Sequence, residues 1–240
     1  MTAPLYLIEL RPDPAALIRF AEAQGINRRE DEDLGYATHA WLTALFGGYA
    51  PKPFRIYQDR RNLRTPRLLG FTRASGIELA DHAHAFAPPL AMGVSPFDRE
   101  VPAKSMPPEW SRGRRLGFEL LACPISRLRK NEDDVYRRHR RECEQTGDKP
   151  ASRADVYRDW LIRQLSGACR LEDYRLDGFR YLHLLRRTKG REWRRFLAPQ
   201  AAIGGTLWVE DGIAFDSLLA RGVGRHRAFG FGMLLLKPAS

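Results

Sequence analysis

Residues 218–236 read LLARGVGRHRAFGFGMLLL, and this stretch joins a short helix to a final strand through a glycine-rich loop. Residues 215–222 are predicted to form the helix and to end it at Gly222, because glycine commonly follows a helix C-terminus. The apolar residues beyond the loop predict a last strand over residues 229–237. A helix and a strand in this order therefore close the second half of the chain.

The loop itself holds four glycines and three residues that can carry positive charge within eleven positions. Glycine allows backbone N–H groups to come close to an anion, and the basic side chains can hold phosphates. The spacing matches neither a P-loop nor a dinucleotide-binding G-x-G-x-x-G sequence. A helix end followed by a kinked strand is the simpler structural alternative. The predicted anion-binding residues are Gly222, Gly224, Arg225, His226, Arg227, Gly230 and Gly232.

The rest of the chain contains further strands and helices in a similar order. Predicted strands cover residues 5–10, 54–57, 67–73 and 115–123. Predicted helices cover residues 33–46 and about 152–165, the second beginning at Ser152 with a capping box to Asp155. This order fits an α+β fold of two tandem ferredoxin-like domains, residues 1–98 and 113–240. Six prolines between residues 86 and 110 predict a long connection between them.

The charge balance favours a nucleic acid as the partner. The formal net charge is +11, with 34 Arg and 6 Lys among the 40 basic residues. Arginine binds phosphate with two parallel hydrogen bonds and stacks on bases. A dense basic run lies within residues 127–141; such runs are usually solvated faces, but here we favour contact with an RNA stem. Its predicted RNA-binding residues are Arg127, Arg129, Lys130, Arg137 and Arg138.

The helix over residues 33–46 places a histidine outside its apolar stripe. At about 100° per residue the stripe holds Trp41 and Leu45, whereas Tyr36 and His39 lie on the opposite side. His39 is therefore a candidate catalytic residue, and a surface histidine without function is the alternative. Imidazole can accept the proton of a ribose 2′-hydroxyl or supply one to the departing 5′-oxygen. We favour the acid role, because phosphate and carboxylate charges would raise its pKa, with Tyr36 orienting the nucleophile or the phosphate.

Other classes of protein have little support. The apolar runs are too short to cross a membrane, and the first residues lack the pattern of a secretory signal, so a cytoplasmic location is expected. Three scattered cysteines show neither zinc nor disulfide spacing. Asp81, His82 and His84 are close together, but further ligands are not evident nearby and a solvated loop is favoured. We expect no metal ion and no cofactor.

Three segments resemble the CasE-type CRISPR repeat-processing endoribonucleases. Residues 218–236 are similar to that family's carboxy-terminal glycine-rich signature. Residues 33–47, DLGYATHAWLTALFG, are similar to the segment that carries its active-site tyrosine and histidine. Residues 116–130, LGFELLACPISRLRK, and 156–165, VYRDWLIRQL, resemble its middle region. The similarity therefore covers the beginning, middle and end of the chain in the right order.

The resemblance implies two ferredoxin-like domains and metal-independent cleavage at the base of a CRISPR repeat RNA hairpin. It implies 2′,3′-cyclic phosphate and 5′-hydroxyl ends, retention of the product, and assembly with other Cascade-type effector subunits. Tyr36 and His39 match the family's catalytic pair in type and spacing. Some members carry a basic residue five positions after the histidine, where this chain has Ala44. The helper is then expected from Arg225, Arg227 or residues 127–141.

Two other functions stay open at this point. A non-catalytic subunit on the same fold could bind the guide RNA hairpin without cutting it, and the missing basic residue at Ala44 leaves room for this. A metal-dependent nuclease could use His82 and His84, and EDTA would inhibit it. The presence of both Tyr36 and His39 opposite the apolar stripe favours the metal-independent enzyme.

Overall fold

The computed structural model describes residues 3–26, 34–59, 62–128, 131–187 and 193–239. The first half of the chain builds a four-stranded antiparallel sheet in the order β2-β3-β1-β4. Its elements are β1 (Tyr6–Leu10), α1 (Pro14–Ala23), α2 (Gly35–Phe46), a 3₁₀ turn (Gly47–Tyr49), β2 (Phe54–Asp59), β3 (Asn62–Thr72), α3 (Gly76–Phe86), α4 (Pro89–Met92) and β4 (Ala103–Ser105).

The second half builds another four-stranded antiparallel sheet, in the order β10-β5-β9-β8, and a separate two-stranded hairpin of β6 and β7. Its elements are β5 (Arg115–Ala122), β6 (Ile125–Leu128), β7 (Asn131–Asp134), α5 (Val135–Thr146), α6 (Arg153–Leu165), β8 (Cys169–Arg187), β9 (Trp193–Val209), α7 (Gly212–Arg221), a 3₁₀ turn (Arg227–Phe229) and β10 (Leu234–Lys237).

Both sheets have the same spatial order when their strands are counted along the chain: fourth, first, third, second. This order, with helices between the first and second and between the third and fourth strands, is that of the ferredoxin-like fold. The predicted α+β class with two ferredoxin-like units is confirmed. Each sheet is drawn from one continuous part of the chain, and the exact division into domains at residues 98 and 113 remains a prediction.

The connection predicted over residues 86–110 is wrong in part, because it contains the last strand of the first sheet. Ala103 lies opposite Ile8 of β1, and Ser105 lies opposite Tyr6. All three residues of this strand are exposed, so the segment lacks the alternation of apolar and polar residues that predicts a strand. The first sheet therefore extends to Ser105.

The loop predicted around His82 and His84 is also wrong, since both residues lie in α3. Ser75 caps this helix by accepting from the N–H of Glu78, and the Glu78 side chain accepts from the N–H of Ser75 at 2.7 Å. Such a reciprocal pair satisfies two otherwise unpaired N–H groups at a helix start. The strand predicted from residue 229 begins only at Leu234, because Gly230 and Gly232 take positive φ angles of 86° and 81°.

The core of the first half lies between its sheet and its helices. Ile8 and Leu68 from the sheet pack in one cluster with Trp41 from α2 and Leu79 from α3. Trp41 is fully buried, and its indole N–H donates to the carbonyl oxygen of Ala91 at 3.0 Å. This packing fixes which face of α2 points away from the sheet.

Candidate active site

Tyr36 and His39 lie opposite the face of α2 that packs on the first sheet, as the sequence predicts, and Tyr36 packs there against the second half of the chain. Thr38, Trp41 and Leu45 are buried against the core, whereas Tyr36 and His39 are half-buried. The buried side of the helix is broader than the predicted stripe, since seven of its twelve residues are buried. The two candidate catalytic side chains therefore project from a helix whose orientation is set by packing.

The glycine-rich loop of the second half packs directly against the start of α2. A Cβ atom on Gly35 would lie 2.7 Å from the carbonyl oxygen of Phe229, a distance that no real side chain tolerates. Beside this contact, the ring centroids of Tyr36 and Phe229 are 6.2 Å apart. The structure thus brings together two predicted site regions that are nearly 200 residues apart in sequence, and a glycine at position 35 makes this approach possible.

Burial, followed by the positive charge of Lys52, holds the pKa of His39 below its usual value of 6.5. The imidazole is therefore neutral at neutral pH in the protein alone. The expectation of an acid role rested on neighbouring negative charge. The positive charge of Lys52 acts on His39 instead, and a neutral imidazole is the form that can act as a base.

Lys52, which the sequence did not single out, acts electrostatically on His39, because its positive charge lowers the pKa of the imidazole. It lies exposed in the connection between the 3₁₀ turn and β2, thirteen positions after His39. Ala44, where a basic residue was missing, packs against the core cluster instead. The source of the positive charge that α2 lacks at this position remains a prediction, and Lys52 joins Arg225, Arg227 and residues 127–141 as a candidate. No helical or strand periodicity links the two positions, since the chain leaves α2 and turns at residues 47–49 before it reaches Lys52.

The four glycines of the loop allow its backbone to take left-handed conformations. Gly222, Gly224, Gly230 and Gly232 all have positive φ angles. The N–H of Gly222 donates to Leu218, and that of Gly232 donates to Leu121, each at 2.8 Å. These amides already have partners within the chain, so a direct contact between the glycines and RNA remains a prediction.

The basic side chains of the loop are tied to the hairpin of β6 and β7. Arg225 Nη2 lies 2.8 Å from one carboxylate oxygen of Glu132, and His226 Nε2 lies 2.9 Å from the other. Arg227 donates to the carbonyl oxygen of Arg221, and burial, followed by the charges of Arg221 and Arg225, lowers its pKa. The positive charges of Arg221 and Arg225 thus both act on Arg227, an arrangement that favours a bound anion beside Arg227.

An open cleft of about 480 Å³ is lined by this loop, by the hairpin and by the start of α5. Arg127 and Arg137 are exposed at its edge. The Arg137 guanidinium lies 4.3 Å from the centre of the Tyr181 ring. Arg138 is half-buried and bonds Glu142 at 2.8 Å. The cleft is lined by Ile125, Arg127, Glu132, Asp133, Asp134, Arg137, Tyr181, Phe196, Leu197, Ala198, Pro199, Arg225 and His226.

The structure therefore gathers Arg127, Arg137, Arg225 and His226 around one cleft, while the next residue of α5, Arg138, lines a different pocket. Arg129 and Lys130 lie outside the described residues. Within the described ranges, no group of three or more His, Cys, Asp or Glu side chains is placed to hold a metal ion. In that same part of the chain, no helix has the length and apolar character needed to span a membrane.

Comparison with known proteins adds a family and a fold. Residues 5–238 match the family model described as CRISPR associated protein. The fold resembles that of CRISPR endoribonuclease Cse3 bound to a 19-nucleotide RNA, with 22% identity and a TM-score of 0.63 over 98% of this chain and 100% of that one. Among curated proteins, no sequence matches this chain significantly.

Two further solved structures share the fold. The CRISPR-associated protein Cas6e from Escherichia coli K-12 is 20% identical, with a TM-score of 0.57 over 98% of this chain and 100% of that one. A chain of a CRISPR RNA-guided surveillance complex is 17% identical, with a TM-score of 0.51 over the same shares. The likeness thus extends over the whole length of each matched chain.

Proposed function

We propose, because the chain belongs to the CRISPR-associated protein family, that it is an endoribonuclease for CRISPR precursor RNA. It cuts at the base of the repeat hairpin without a metal ion and leaves 2′,3′-cyclic phosphate and 5′-hydroxyl ends. It then stays bound to the guide RNA in a Cascade-type complex. The fold it shares with an RNA-bound CRISPR endoribonuclease and with a chain of an RNA-guided surveillance complex supports this proposal.

One observation carries the proposal: His39 is half-buried on the face of α2 that does not pack on the first sheet, and burial and the charge of Lys52 lower its pKa. A neutral imidazole can take the proton of a ribose 2′-hydroxyl. A nearby ammonium stabilises the negative charge that grows on the phosphate oxygens during attack. Tyr36 on the same face is suited to orient the phosphate through its hydroxyl group.

The reaction then follows from these positions. His39 accepts the proton as the 2′-oxygen attacks the adjacent phosphorus, and a new P–O2′ bond forms. The P–O5′ bond breaks, the departing 5′-oxygen takes a proton from water, and the hydroxide left behind removes the proton that His39 accepted. The products are a 2′,3′-cyclic phosphate on one fragment and a 5′-hydroxyl on the other. Lys52 acts on the charge of the phosphate throughout and exchanges no proton.

The hairpin stem binds along the cleft between the glycine-rich loop and the hairpin of β6 and β7. Arg127, Arg137 and Arg225 supply positive charge at its edges. An A-form stem is contacted mainly through phosphates and shape, because its major groove is too narrow for side chains to enter. We therefore assign stem binding to the second half of the chain and cleavage to α2 in the first half.

The decisive experiment compares wild type with His39→Ala on the repeat RNA in EDTA, with a parallel measurement of RNA binding. We expect wild type to cut, and His39→Ala to bind with an unchanged Kd while the rate falls by about 10²- to 10⁴-fold, the usual worth of a positioned base. His84→Ala is the matched control, because His84 is an exposed histidine of α3. Its rate should equal that of wild type.

A non-catalytic guide-RNA-binding subunit is the second candidate function, and Ala44 is the observation that favours it, since a basic residue is absent from α2 at that position. If wild type and His39→Ala both bind the hairpin and neither cuts, this second function is correct. Cleavage that stops in EDTA would instead indicate a metal-dependent nuclease.

A further inference from the structure

Asp134, the last residue of β7, has a buried carboxylate that the proposed cleavage does not use. Its side chain is 2% exposed. One oxygen accepts from the hydroxyl of Tyr157 at 3.0 Å and from the backbone N–H of Tyr136 at 2.9 Å. The other accepts from Arg153 Nη1 at 3.1 Å and from the hydroxyl of Tyr181. The carboxylate therefore has four donors from three different elements.

Arg153, the ionic partner of Asp134, is enclosed by aromatic rings. Its guanidinium carbon lies 3.8 Å from the ring centre of Phe179 and 4.0 Å from that of Tyr136. The rings of Tyr157 and Tyr181 are 5.5 and 5.8 Å away. A buried ion pair is tolerated only where hydrogen bonds and ring faces replace water. This pair meets that condition, so its members have little freedom to move.

The cluster connects four parts of the second half. Asp134 ends the hairpin of β6 and β7, and it caps α5 through the N–H of Tyr136. Arg153 and Tyr157 belong to α6, and Tyr181 belongs to β8. In α5, which is described throughout, the buried residues are Val135 and Cys143. With so little apolar contact, this helix depends on the polar cluster for its position.

The cluster also reaches the cleft. The hydroxyl of Tyr181 is bonded to Asp134, which fixes the orientation of the ring. The guanidinium of Arg137 lies over that ring, 4.3 Å from its centre, and both residues line the cleft. A cation over an aromatic face is held by the charge distribution of the ring. The position of Arg137 at the cleft is therefore set by Asp134 through Tyr181.

We propose that Asp134 is a positioning residue for RNA binding. It locks the hairpin and α5 onto α6 and β8, so that Arg137 and Arg127 face the stem phosphates of the RNA. The proposal rests on the proposed function, in which this cleft binds the repeat hairpin. Asp134 itself touches no RNA, and its loss should change binding without changing the chemistry at His39.

The test uses Asp134→Asn and Tyr181→Phe, with Asp216→Asn as the control. Asp216 also forms a partly buried ion pair, with Arg73 at 2.5 Å. It lies on α7 and does not line the cleft. Three quantities are measured: the Kd for the repeat hairpin, its dependence on salt concentration, and the single-turnover cleavage rate at saturating hairpin. Thermal unfolding is followed for each variant. All measurements use the full chain.

For both cluster variants we expect the Kd to weaken about tenfold. The slope of log Kd plotted against log salt concentration should fall by roughly one to two, because one or two phosphate contacts are lost. The cleavage rate at saturation should stay within about twofold of wild type. Asp216→Asn should match wild type in Kd and in slope. A role in stability alone would lower the unfolding temperature and leave the salt slope unchanged.

Each result decides the matter. If Asp134→Asn does not fold, Tyr181→Phe gives the answer, since it removes one hydroxyl group from an otherwise intact cluster. If the folded cluster variants bind with the Kd and slope of Asp216→Asn, Asp134 has no positioning role. If wild type itself neither binds nor cuts the hairpin, the proposed function is wrong. This result differs from a failure of the positioning role, in which wild type still binds the hairpin.

Discussion

The helices α2 and α5 both have twelve residues, but different kinds of interaction hold them in place. In α2 seven residues are buried, and the helix packs on its sheet through Trp41 and its neighbours. In α5 two residues are buried, and the exposed side carries ion pairs one turn apart, such as Arg138 with Glu142 and Arg140 with Glu144. One helix is held by apolar packing and the other by charges and a polar cluster.

This difference suits the two proposed tasks. A catalytic base must be held to within a fraction of an ångström, and a packed core provides that rigidity. A surface that binds a polyanion must stay charged and hydrated, so it cannot be held by the same means. The lesson is that cleavage should respond to changes in the core below α2, and binding to changes in charge around α5.

The largest expected effect concerns the core below α2. Trp41→Ala removes a fully buried side chain and its hydrogen bond to Ala91. We expect a loss of about 3–5 kcal/mol in the free energy of unfolding, the usual cost of this truncation in a core. Arg140→Ala on α5 is the counterpart, and its change should stay within about 0.5 kcal/mol, as for other exposed pairs.

Urea unfolding followed by tryptophan fluorescence and circular dichroism measures both variants. Equal midpoints for Trp41→Ala and Arg140→Ala would contradict the contrast between the helices. So would a large loss of stability in Arg140→Ala, because it would show that the charges of α5 contribute more to the fold than its sparse burial indicates.

The next effect concerns the charge beside His39. As a base, His39 must be neutral, so the cleavage rate should rise with pH through its pKa and then level off. Lys52→Gln removes a cause of the lowered pKa, and the rising part of the profile should move to higher pH. The maximal rate should fall on the order of tenfold, less than the loss of an oxyanion-hole donor.

Single-turnover rates at saturating hairpin, measured from pH 5 to 8, test this. Lys104→Gln is the control, because Lys104 is an exposed lysine on β4, and its profile should overlay that of wild type. A rate that falls as pH rises through this range would show that His39 acts as the acid. A profile of Lys52→Gln that does not move would remove Lys52 from the site.

The smallest expected effect concerns one arginine of α5. Arg138→Gln breaks an exposed ion pair with Glu142 and should leave the free energy of unfolding within about 0.5 kcal/mol of wild type. The hairpin Kd should weaken a few-fold, and the salt slope should fall by about one if Arg138 contacts a phosphate. Binding at several salt concentrations measures this, with the exposed Arg99→Gln as the control. An unchanged slope would exclude Arg138 from the RNA interface.

Much of the fold was accessible from local patterns. The first strand, α2, α6 and the end of α7 at Gly222 lie close to where periodicity, the Ser152 cap and the glycine predict them. The fourth strand of the first sheet was missed, because three exposed residues carry no apolar signal. The start of α3 was missed although Ser75 and Glu78 have capping-box spacing, a signal that the surrounding histidines and prolines obscured.

The sequence by itself determined the helix that carries Tyr36 and His39, the face they occupy, and the basic character of the chain, because these depend on residue type and local period. Tertiary structure alone decided that the charge of Lys52 acts on His39, that the glycine-rich loop packs on Gly35 through Phe229, and that Asp134 accepts hydrogen bonds from three elements. The reason is physical: these contacts join residues far apart in the chain, and only the closed sheets bring them together.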